Sequence, residues 1–353
     1  MKKKVKITLI ISGIILGLLF LAILILPSKI SVAIYKDNFE KRFTTYEGYL
    51  FYLDDFEGLV REKRVFPSDK GQLLAGYKYY SENVDVKGLL VLAHGFGGGG
   101  HNGYLNVVDY FTKNGYIVFA YDATGNDESE GSAVGGLPQG LIDVDYALQF
   151  VKSEKEFENL PIFLWGHSWG GYSVGSVTKL HPDVKAAVVV AGFNQSVDML
   201  ETEGRKIAGD VVDLLIPPVK KYETKKYGKY ASMSVLESVS ESKVPTMFIH
   251  SKDDEMIPYE ISFARYYEKF GTNPNYLFVS YEDKGHSYVY CSENSKEFRN
   301  QYEAKKNEFK ASSEDITDEM IIAFDKENFT VKLAYELDIS LMEQMLEFYD
   351  SHK

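Results

Sequence analysis

The chain has 353 residues, of which 45% are hydrophobic and 25% charged, the composition of a globular protein with a sizeable core. Its formal charge of −12 argues against a nucleic-acid partner, which needs a basic surface. Cys291 is the only cysteine, so the chain can form neither an intramolecular disulfide nor a thiolate metal cluster.

Residues 1–26 predict a membrane anchor. Four lysines among the first six residues precede an uncharged run from Ile7 to Leu26. Twenty helical residues extend about 30 Å, the hydrocarbon thickness of a bilayer. The sequence after Leu26 lacks the small-residue cleavage site of a signal peptide, which is the weaker alternative. We therefore expect a single-pass protein of the cell membrane with a cytoplasmic N-terminus and the remaining residues outside. Removing the four lysine charges from −12 leaves −16 on that acidic remainder.

The chain after the anchor alternates strand-like and helical patterns. Two paired strands are expected first, at Lys63–Phe66 and Gln72–Tyr80. Buried strands follow at Gly88–Ala93, Tyr116–Tyr121, Ile162–Trp165, Ala186–Ala191, Thr246–His250 and Tyr276–Val279. Helical patterns lie between most of them, at Tyr104–Lys113, Leu137–Val151, Tyr172–Leu180 and Tyr259–Phe270. This alternation predicts an α/β fold, a mostly parallel central sheet with helices on both faces.

The same pattern divides the chain into regions. Residues 27–58 form a juxtamembrane segment of mixed linker and helix, and residues 59–194 form the first part of the core. Residues 195–243 contain no strand-like run, which indicates a helical cap insertion. Residues 244–353 hold the second part of the core and a C-terminal extension that ends in the amphipathic stretch Ile339–Tyr349.

A glycine-rich loop follows the third predicted strand, in the stretch LVLAHGFGGGG. Gly95, Gly97 and Gly100 form a G-x-G-x-x-G, and the acidic residue Asp122 comes about twenty residues later. Those features match the fingerprint of a dinucleotide-binding turn. The loop is therefore either a cofactor cradle or a close backbone approach to some other reacting group.

Several observations disfavour a cofactor at this loop. A dinucleotide fold normally begins with its glycine-rich strand, whereas two strands precede this one. His94 occupies the position where the fingerprint has a small apolar residue. A P-loop is excluded because no Gly-Lys-Ser/Thr follows the glycines. A metal site at His94 and His101 is disfavoured because no third ligand lies at a suitable spacing. We expect neither a cofactor nor a metal.

The strongest catalytic motif is Leu164-Trp-Gly-His-Ser-Trp-Gly-Gly171. Gly166, Ser168 and Gly170 form a G-x-S-x-G between a predicted strand and a predicted helix. A serine on that sharp turn projects its hydroxyl above the sheet as a nucleophile. The simpler alternative is an N-cap serine. The strand–turn–helix context favours the nucleophile.

A nucleophilic serine needs a base and an acid that orients the base. In this architecture both follow later strands, the acid before the histidine. His286 comes after the last predicted strand and is the candidate base. Asp254 and Asp253 follow the preceding strand, with Glu255 as a remote third candidate for the acid.

With these motifs, residues 60–290 resemble the serine-type α/β-hydrolases, most of all the group of serine aminopeptidases, monoacylglycerol-lipase-like enzymes and bacterial acyl hydrolases. In that family the acid stands in G-x-x-D-x-x-[VI]-P. Alignment on Ile257-Pro258 places the acid at Asp254, with Ser251 instead of the usual glycine. Asp253 remains the alternative.

The resemblance also implies how the tetrahedral intermediate is held. One oxyanion donor is the N–H of Trp169, the residue after the nucleophile. The His-Gly loop supplies the second, the N–H of Phe96, with Gly97 as the alternative in the adjacent register.

A second loop departs from the family pattern. Residues 121–131 are similar to D-x-x-G-x-G-x-S-x-G, but Asp127 replaces the second glycine. That loop braces the active site in the family, so Asp122 and Ser129 are expected to be structural.

The sequence thus favours a membrane-anchored serine hydrolase that cleaves an ester, lipid or peptide through an acyl-enzyme, with a carboxylesterase or lipase-like enzyme first. A serine peptidase is the alternative, since Glu201 and Glu203 of the cap offer carboxylates for a substrate amine. Another class of protein, a non-catalytic binding or sensor protein on a hydrolase scaffold, also remains open.

Overall fold

A computed structural model describes residues 27–97, 100–313 and 315–353. The predicted transmembrane anchor within residues 1–26 lies outside this part of the chain. Within the described ranges, no helix is both long and apolar enough to span a bilayer.

An eight-stranded sheet forms the centre of the fold, in the order β1-β2-β4-β3-β5-β6-β7-β8. Pairings that involve β2 are antiparallel and all the others are parallel. The mostly parallel sheet predicted from the sequence is therefore confirmed. The strands are β1 Leu59–Pro67, β2 Leu73–Ser81, β3 Gly88–Ala93, β4 Tyr116–Tyr121, β5 Ile162–His167, β6 Ala186–Val190, β7 Thr246–Ser251 and β8 Tyr276–Tyr281.

Helices connect the strands and extend the fold at both ends. The first, α1, covers residues 27–39 of the described chain. The others are α2 Leu105–Lys113, α3 Leu137–Ser153, α4 Trp169–Val177, α5 Ser196–Ala208, α6 Val212–Tyr227, α7 Val235–Ser242, α8 Phe263–Phe270, α9 Glu293–Ala311, α10 Asp318–Asn328, α11 Val331–Ala334 and α12 Ile339–Asp350.

Two apolar cores lie on opposite faces of the sheet. Successive residues of a strand point to opposite faces, so Leu89 and Val91 of β3 enter one core while Leu90 and Leu92 enter the other. Helices α3, α4 and α8 cover the first face, whereas α2 and α12 cover the second. Every residue of β3–β7 is buried, which explains why these strands read as continuous apolar runs.

The region between β6 and β7, predicted as a helical insertion, contains α5, α6 and α7. Of these, α7 packs onto the core, where Val235 lies against Gly175 of α4. Helices α5 and α6 project over the carboxyl ends of the strands and form the cap. In the C-terminal extension, α9 and α10 are mostly exposed, and α12 returns to close the second face of the sheet.

The segment of residues 27–58 packs against the cap and the core. Tyr35 of α1 is buried and donates a hydrogen bond to Glu223 of α6 at 2.7 Å. Glu40, just after α1, accepts hydrogen bonds from Tyr222 and Lys226 of α6, both at 2.7 Å. These contacts hold α1 against the cap.

Asp127, the residue that departs from the family pattern, binds the same segment. Its backbone has a positive φ of 34°, in the region that favours glycine. Its carboxylate accepts hydrogen bonds from the backbone N–H of Thr45 at 2.6 Å and from the Thr45 hydroxyl at 2.7 Å. The Arg42 guanidinium donates to the carbonyls of Asp127, Ser129 and Gly131. Asp127 thus adopts a backbone conformation that favours glycine, and its side chain binds the segment of residues 27–58.

Glu223 should make the stability of the fold depend on pH. Burial raises the pKa of this carboxyl to about 7. Hydrogen bonds from Tyr35 and Ser196 and the positive charge of Lys226 oppose the rise. The buried ring of Tyr227 lies beside the carboxyl. Folding raises the pKa of this carboxyl from its ordinary value of 4.5. Its contribution to stability is therefore fully present at pH values below 4.5 and is lost as pH rises to about 7. The loss is about 3 kcal/mol.

Glu223→Gln is therefore expected to make the decline in unfolding free energy between pH 5 and pH 8 smaller by about 3 kcal/mol. Chemical denaturation of the full chain in detergent, at both pH values, measures that decline. Glu237→Gln on α7, where the carboxylate is exposed, is the matched control. An unchanged decline in Glu223→Gln would contradict the assignment.

Candidate functional site

Ser168 occupies a sharp turn between β5 and α4. Its backbone lies at φ 57° and ψ −116°, a strained conformation for a residue with a side chain. A Cβ at Gly166 would overlap the carbonyl of Gly170, and a Cβ at Gly170 would overlap the carbonyl of Ala93. The glycines of G-x-S-x-G are thus required by close backbone approach, and the turn leaves the Ser168 hydroxyl half-buried at the carboxyl end of the sheet.

Ser168, His286 and Asp254 form a continuous hydrogen-bonded chain. The Ser168 Oγ lies 2.8 Å from Nε2 of His286, and Nδ1 of the same ring lies 2.8 Å from Oδ2 of Asp254. Their loops follow β5, β8 and β7, whose carboxyl ends meet at one edge of the sheet. The structure therefore brings together the three residues that the sequence singled out for nucleophile, base and acid.

The Asp254 carboxylate is held in its ionised form. Burial by itself raises the pKa of this carboxyl, but hydrogen bonds from His250 and His286 outweigh burial and hold the pKa well below its usual range. Its second oxygen, Oδ1, accepts the backbone N–H groups of Met256 and Ile257 at 2.9 and 2.8 Å. An ionised carboxylate fixed in this way can orient an imidazole and stabilise its positive charge.

The neighbouring carboxylates are arranged differently. Asp253 is exposed and accepts hydrogen bonds from the Ser251 hydroxyl and from the N–H of Gly285. Glu255 is exposed. Ser251, which replaces the family's glycine, also accepts the N–H of Lys284 at 2.9 Å and so ties the turn after β7 to the turn before His286.

The two expected oxyanion donors flank the serine. Phe96 follows β3 and lines the same cavities as Ser168, and Trp169 is the first residue of α4. In the described part of the chain, neither backbone N–H donates to another group of the protein. The ring of Phe96 packs edge-on against Trp169 at 5.3 Å and against Phe43 at 5.1 Å.

Gly100, the last glycine of the fingerprint, is packed against protein groups. A Cβ on Gly100 would overlap the Asp122 carboxylate, which accepts hydrogen bonds from the backbone and ring N–H groups of His101. Ser129 donates to the backbone carbonyl of Asp122. His94 is buried, and its Nε2 accepts the N–H of Ala123 at 2.9 Å. The acidic residue of the dinucleotide fingerprint thus braces the loop.

Sequence reasoning missed a buried bridge between the glycine loop and the histidine loop. The N–H of Gly95 donates to the Tyr104 hydroxyl at 3.1 Å, which lies 2.9 Å from Nδ1 of His167. Nε2 of His167 lies 3.1 Å from the backbone carbonyl of His286. Burial, aided by the nearby His286, lowers the pKa of His167 to about 3, so the ring is neutral. The carbonyl of His286 can only accept, so the proton of the neutral His167 ring is on Nε2. Nδ1 of His167 therefore accepts a hydrogen bond from the Tyr104 hydroxyl. A tyrosine nine residues beyond Gly95 gave no recognisable signal.

Removing the Tyr104 hydroxyl is expected to loosen both loops. In Tyr104→Phe, Gly95 N–H and His167 Nδ1 lose their shared partner, and we expect a fall in kcat of about 10-fold with a much smaller change in KM. Steady-state kinetics with a short-chain p-nitrophenyl ester measures this. Tyr110→Phe, a half-buried tyrosine of α2 outside the bridge, is the control. Equal kcat values for the two variants would contradict a positioning role.

Two cavities meet at Ser168. The first, of about 470 Å³, is lined mainly by apolar side chains of α1, α5 and α6. The second, of about 410 Å³, is lined by hydroxyl, imidazole and aromatic groups, including Tyr104, His167 and Tyr335. Phe96 contributes to both and lies between them. A substrate with one apolar and one polar part fits this division.

The cap carboxylates differ in position. Glu203 lines the first cavity and pairs with Lys206 at 2.8 Å. Glu201 is exposed and lines a separate shallow surface depression. Among the described residues, no group of three His, Cys, Asp or Glu side chains is arranged to hold a metal ion.

Comparison with known proteins adds family information. The family described as "Serine aminopeptidase, S33" matches residues 84–230. That range contains the glycine loop, the Ser168 turn and both cap helices, α5 and α6. Asp254 and His286 lie beyond it, so their place in the site rests on the geometry.

Curated relatives match over shorter stretches. The chain is 29% identical over 117 residues to a monoacylglycerol lipase of Mycolicibacterium smegmatis, which covers 33% of this chain and 41% of the lipase. It is 26% identical over 117 residues to a caffeoylshikimate esterase of Arabidopsis thaliana, with coverage of 33% and 35%. To the human monoglyceride lipase it is 33% identical over 96 residues, with coverage of 27% and 31%. The chain thus spans about two fifths or less of the length of these relatives.

Solved structures match over more of the chain. An esterase of Pyrococcus furiosus, Pf2001, aligns with a TM-score of 0.54 at 16% identity, covering 77% of this chain and 96% of the esterase. The α/β hydrolase GrgF of a Penicillium species aligns with a TM-score of 0.51 at 16% identity, with coverage of 83% and 99%. At these identities the likeness is one of fold.

Proposed function

Since this chain belongs to the serine-type α/β-hydrolase superfamily, we propose that it is a membrane-anchored serine hydrolase that cleaves carboxylic esters through an acyl-enzyme. One observation carries the proposal, the hydrogen-bonded chain from Ser168 through His286 to Asp254, with 2.8 Å at each step. Such an arrangement converts a weakly nucleophilic hydroxyl into an effective one.

Each residue then has a defined chemical role. His286 Nε2 accepts the Ser168 proton as the oxygen attacks the carbonyl carbon, and Asp254 stabilises the resulting imidazolium. The N–H groups of Phe96 and Trp169 are proposed to bind the oxyanion. His286 then protonates the leaving alcohol, and afterwards it removes a proton from the water that hydrolyses the acyl-enzyme.

The two cavities support an ester with an apolar acyl group. We assign the acyl chain to the first cavity, where side chains such as Phe39, Leu200 and Val219 would surround it. The second cavity, with Tyr104 and Tyr335, would take the more polar alcohol. The similarity to monoacylglycerol lipases agrees with such a substrate.

A serine peptidase is the second candidate, because the matching family is described as a serine aminopeptidase and Glu203 lines the acyl cavity. The ion pair of Glu203 with Lys206 already neutralises the carboxylate that a substrate amine would need. We therefore rank the ester first. The anchor of residues 7–26, with the hydrolase domain outside the cell, is part of the same proposal.

Labelling with a fluorophosphonate probe tests the proposal. Wild type should be labelled covalently, and Ser168→Ala should not, while Ser173→Ala on α4 should label as wild type does. Equal labelling of wild type and Ser168→Ala, or none in either, contradicts a serine hydrolase. A panel of p-nitrophenyl esters and aminoacyl nitroanilides then separates esterase from peptidase, and protease accessibility on intact cells reports the orientation.

A further inference from the structure

The mouth of the acyl cavity carries an apolar rim. Ile34 on α1, Ile207 on α5 and Met256 after β7 all line the cavity and yet are 49%, 81% and 50% exposed. Val211 and Leu214, at the junction of α5 and α6, continue this surface with exposures of 56% and 72%. We call these five residues the rim.

The rim breaks the usual pattern of a water-facing helix. At the start of α6, Val212 and Leu215 line the cavity, whereas Leu214 and Val211, the residue just before the helix, face outward. Outward positions of a helix in water are normally polar, and clustered exposed apolar side chains mark a binding surface. The acidic residues beside them, Asp210 and Asp213, both pair with Arg205, at 3.0 and 2.6 Å, which leaves one net negative charge on these three side chains.

Chain connectivity places the rim next to the proposed anchor. The uncharged run ends at Leu26, and helix α1 is described from residue 27 onward. Ile34 follows Leu26 by eight residues, which is about 12 Å along a helix. The next residue, Tyr35, fixes α1 to the cap through its hydrogen bond to Glu223. The cavity mouth is thus tied close to the point where the chain leaves the bilayer.

From these observations we infer that the rim docks on the lipid bilayer beside the anchor, so that the acyl cavity receives its ester directly from the membrane leaflet. This inference rests on the proposed anchor and hydrolase. A rim inserted among lipid headgroups and acyl chains lets an ester enter the cavity without crossing water, which is costly for a long apolar chain.

Kinetics of the full chain reconstituted in phosphatidylcholine vesicles test the docking. The variant Val211→Glu/Leu214→Glu changes only rim residues that do not line the cavity. It should hydrolyse a long-chain fluorogenic ester embedded in the vesicles at least 5-fold more slowly than wild type and leave hydrolysis of water-soluble p-nitrophenyl acetate within 2-fold. Val65→Glu/Val86→Glu, at residues of 53% and 50% exposure away from the cavity, should change neither rate. Equal slowing of both esters, or of neither, overturns the docking.

A label on the rim tests the same contact independently of catalysis. Cys291 is buried, and burial raises the pKa of its thiol to about 12, so an introduced cysteine is the reactive one. A bimane on Leu214→Cys should be quenched by brominated lipids more strongly than a bimane on Val86→Cys. Equal quenching overturns the docking, even if wild type hydrolyses neither ester and the proposed hydrolase fails.

Discussion

Replacing Asp254 by asparagine is expected to lower kcat by about 10³- to 10⁴-fold. The amide keeps an oxygen to accept the N–H groups of Met256 and Ile257, so the loop should keep its shape. Its nitrogen, however, cannot accept Nδ1–H of His286, and the imidazole then presents the wrong tautomer to Ser168. Steady-state hydrolysis of a short-chain p-nitrophenyl ester measures the loss.

Asp253→Asn is the matched control, since Asp253 is adjacent and exposed and accepts its hydrogen bonds from Ser251 and Gly285, in the turns around it. We expect its kcat to stay within about 10-fold of wild type. Losses of equal size in the two variants would contradict the choice of Asp254 as the acid. Circular dichroism of both variants separates a catalytic loss from misfolding.

Gly170→Ala is expected to destabilise the fold by more than about 3 kcal/mol. The added methyl group would overlap the backbone carbonyl of Ala93 at the end of β3, and backbone atoms cannot rotate aside as a flexible side chain can. Either β3 or α4 must move, and both adjoin the site. Denaturant unfolding of the full chain in detergent measures the change.

Gly103→Ala provides the comparison for that effect. A Cβ at Gly103 would meet no atom within 4 Å, and this residue does not adopt a positive φ. Its unfolding free energy should stay within about 0.5 kcal/mol of wild type. If the two alanines destabilise the fold equally, steric overlap at Gly170 is not the cause.

The sequence predicts the sheet well because its signal is local. Fully buried strands such as β3 and β5 are continuous apolar runs, and the glycines around Ser168 mark the turn where strand, loop and helix must meet closely. Every catalytic candidate follows a strand, and the carboxyl ends of parallel strands share one edge. That geometry makes the meeting of Ser168, Asp254 and His286 foreseeable, and their spacing is as a catalytic triad requires. Their catalytic roles stay a prediction until tested.

Contacts between distant segments left no local signal. The bond from Tyr35 to Glu223 spans 188 residues, and the bond from Thr45 to Asp127 spans 82. Such pairs obey no periodicity, so residues 27–58 read only as a mixed segment although α1 forms a wall of the acyl cavity. Of the two neighbouring aspartates, the motif alignment favoured Asp254 but left Asp253 open, and in the fold it is Asp254 that reaches His286.

Helix α12 has a consequence for the growing polypeptide. Leu341, Met342 and Met345 cover the second face of the sheet, and the Tyr349 hydroxyl donates to the carbonyl of Leu164 in β5, the strand that leads to Ser168. This helix follows His286 by some fifty residues, which ribosomes add in roughly 3–10 s at ~5–20 residues per second. During that interval Ser168, Asp254 and His286 have already been synthesised, whereas the apolar side chains of α12 that cover the second face of the sheet have not. A polypeptide ending before Ile339 should therefore aggregate, and activity should begin only when α12 has docked.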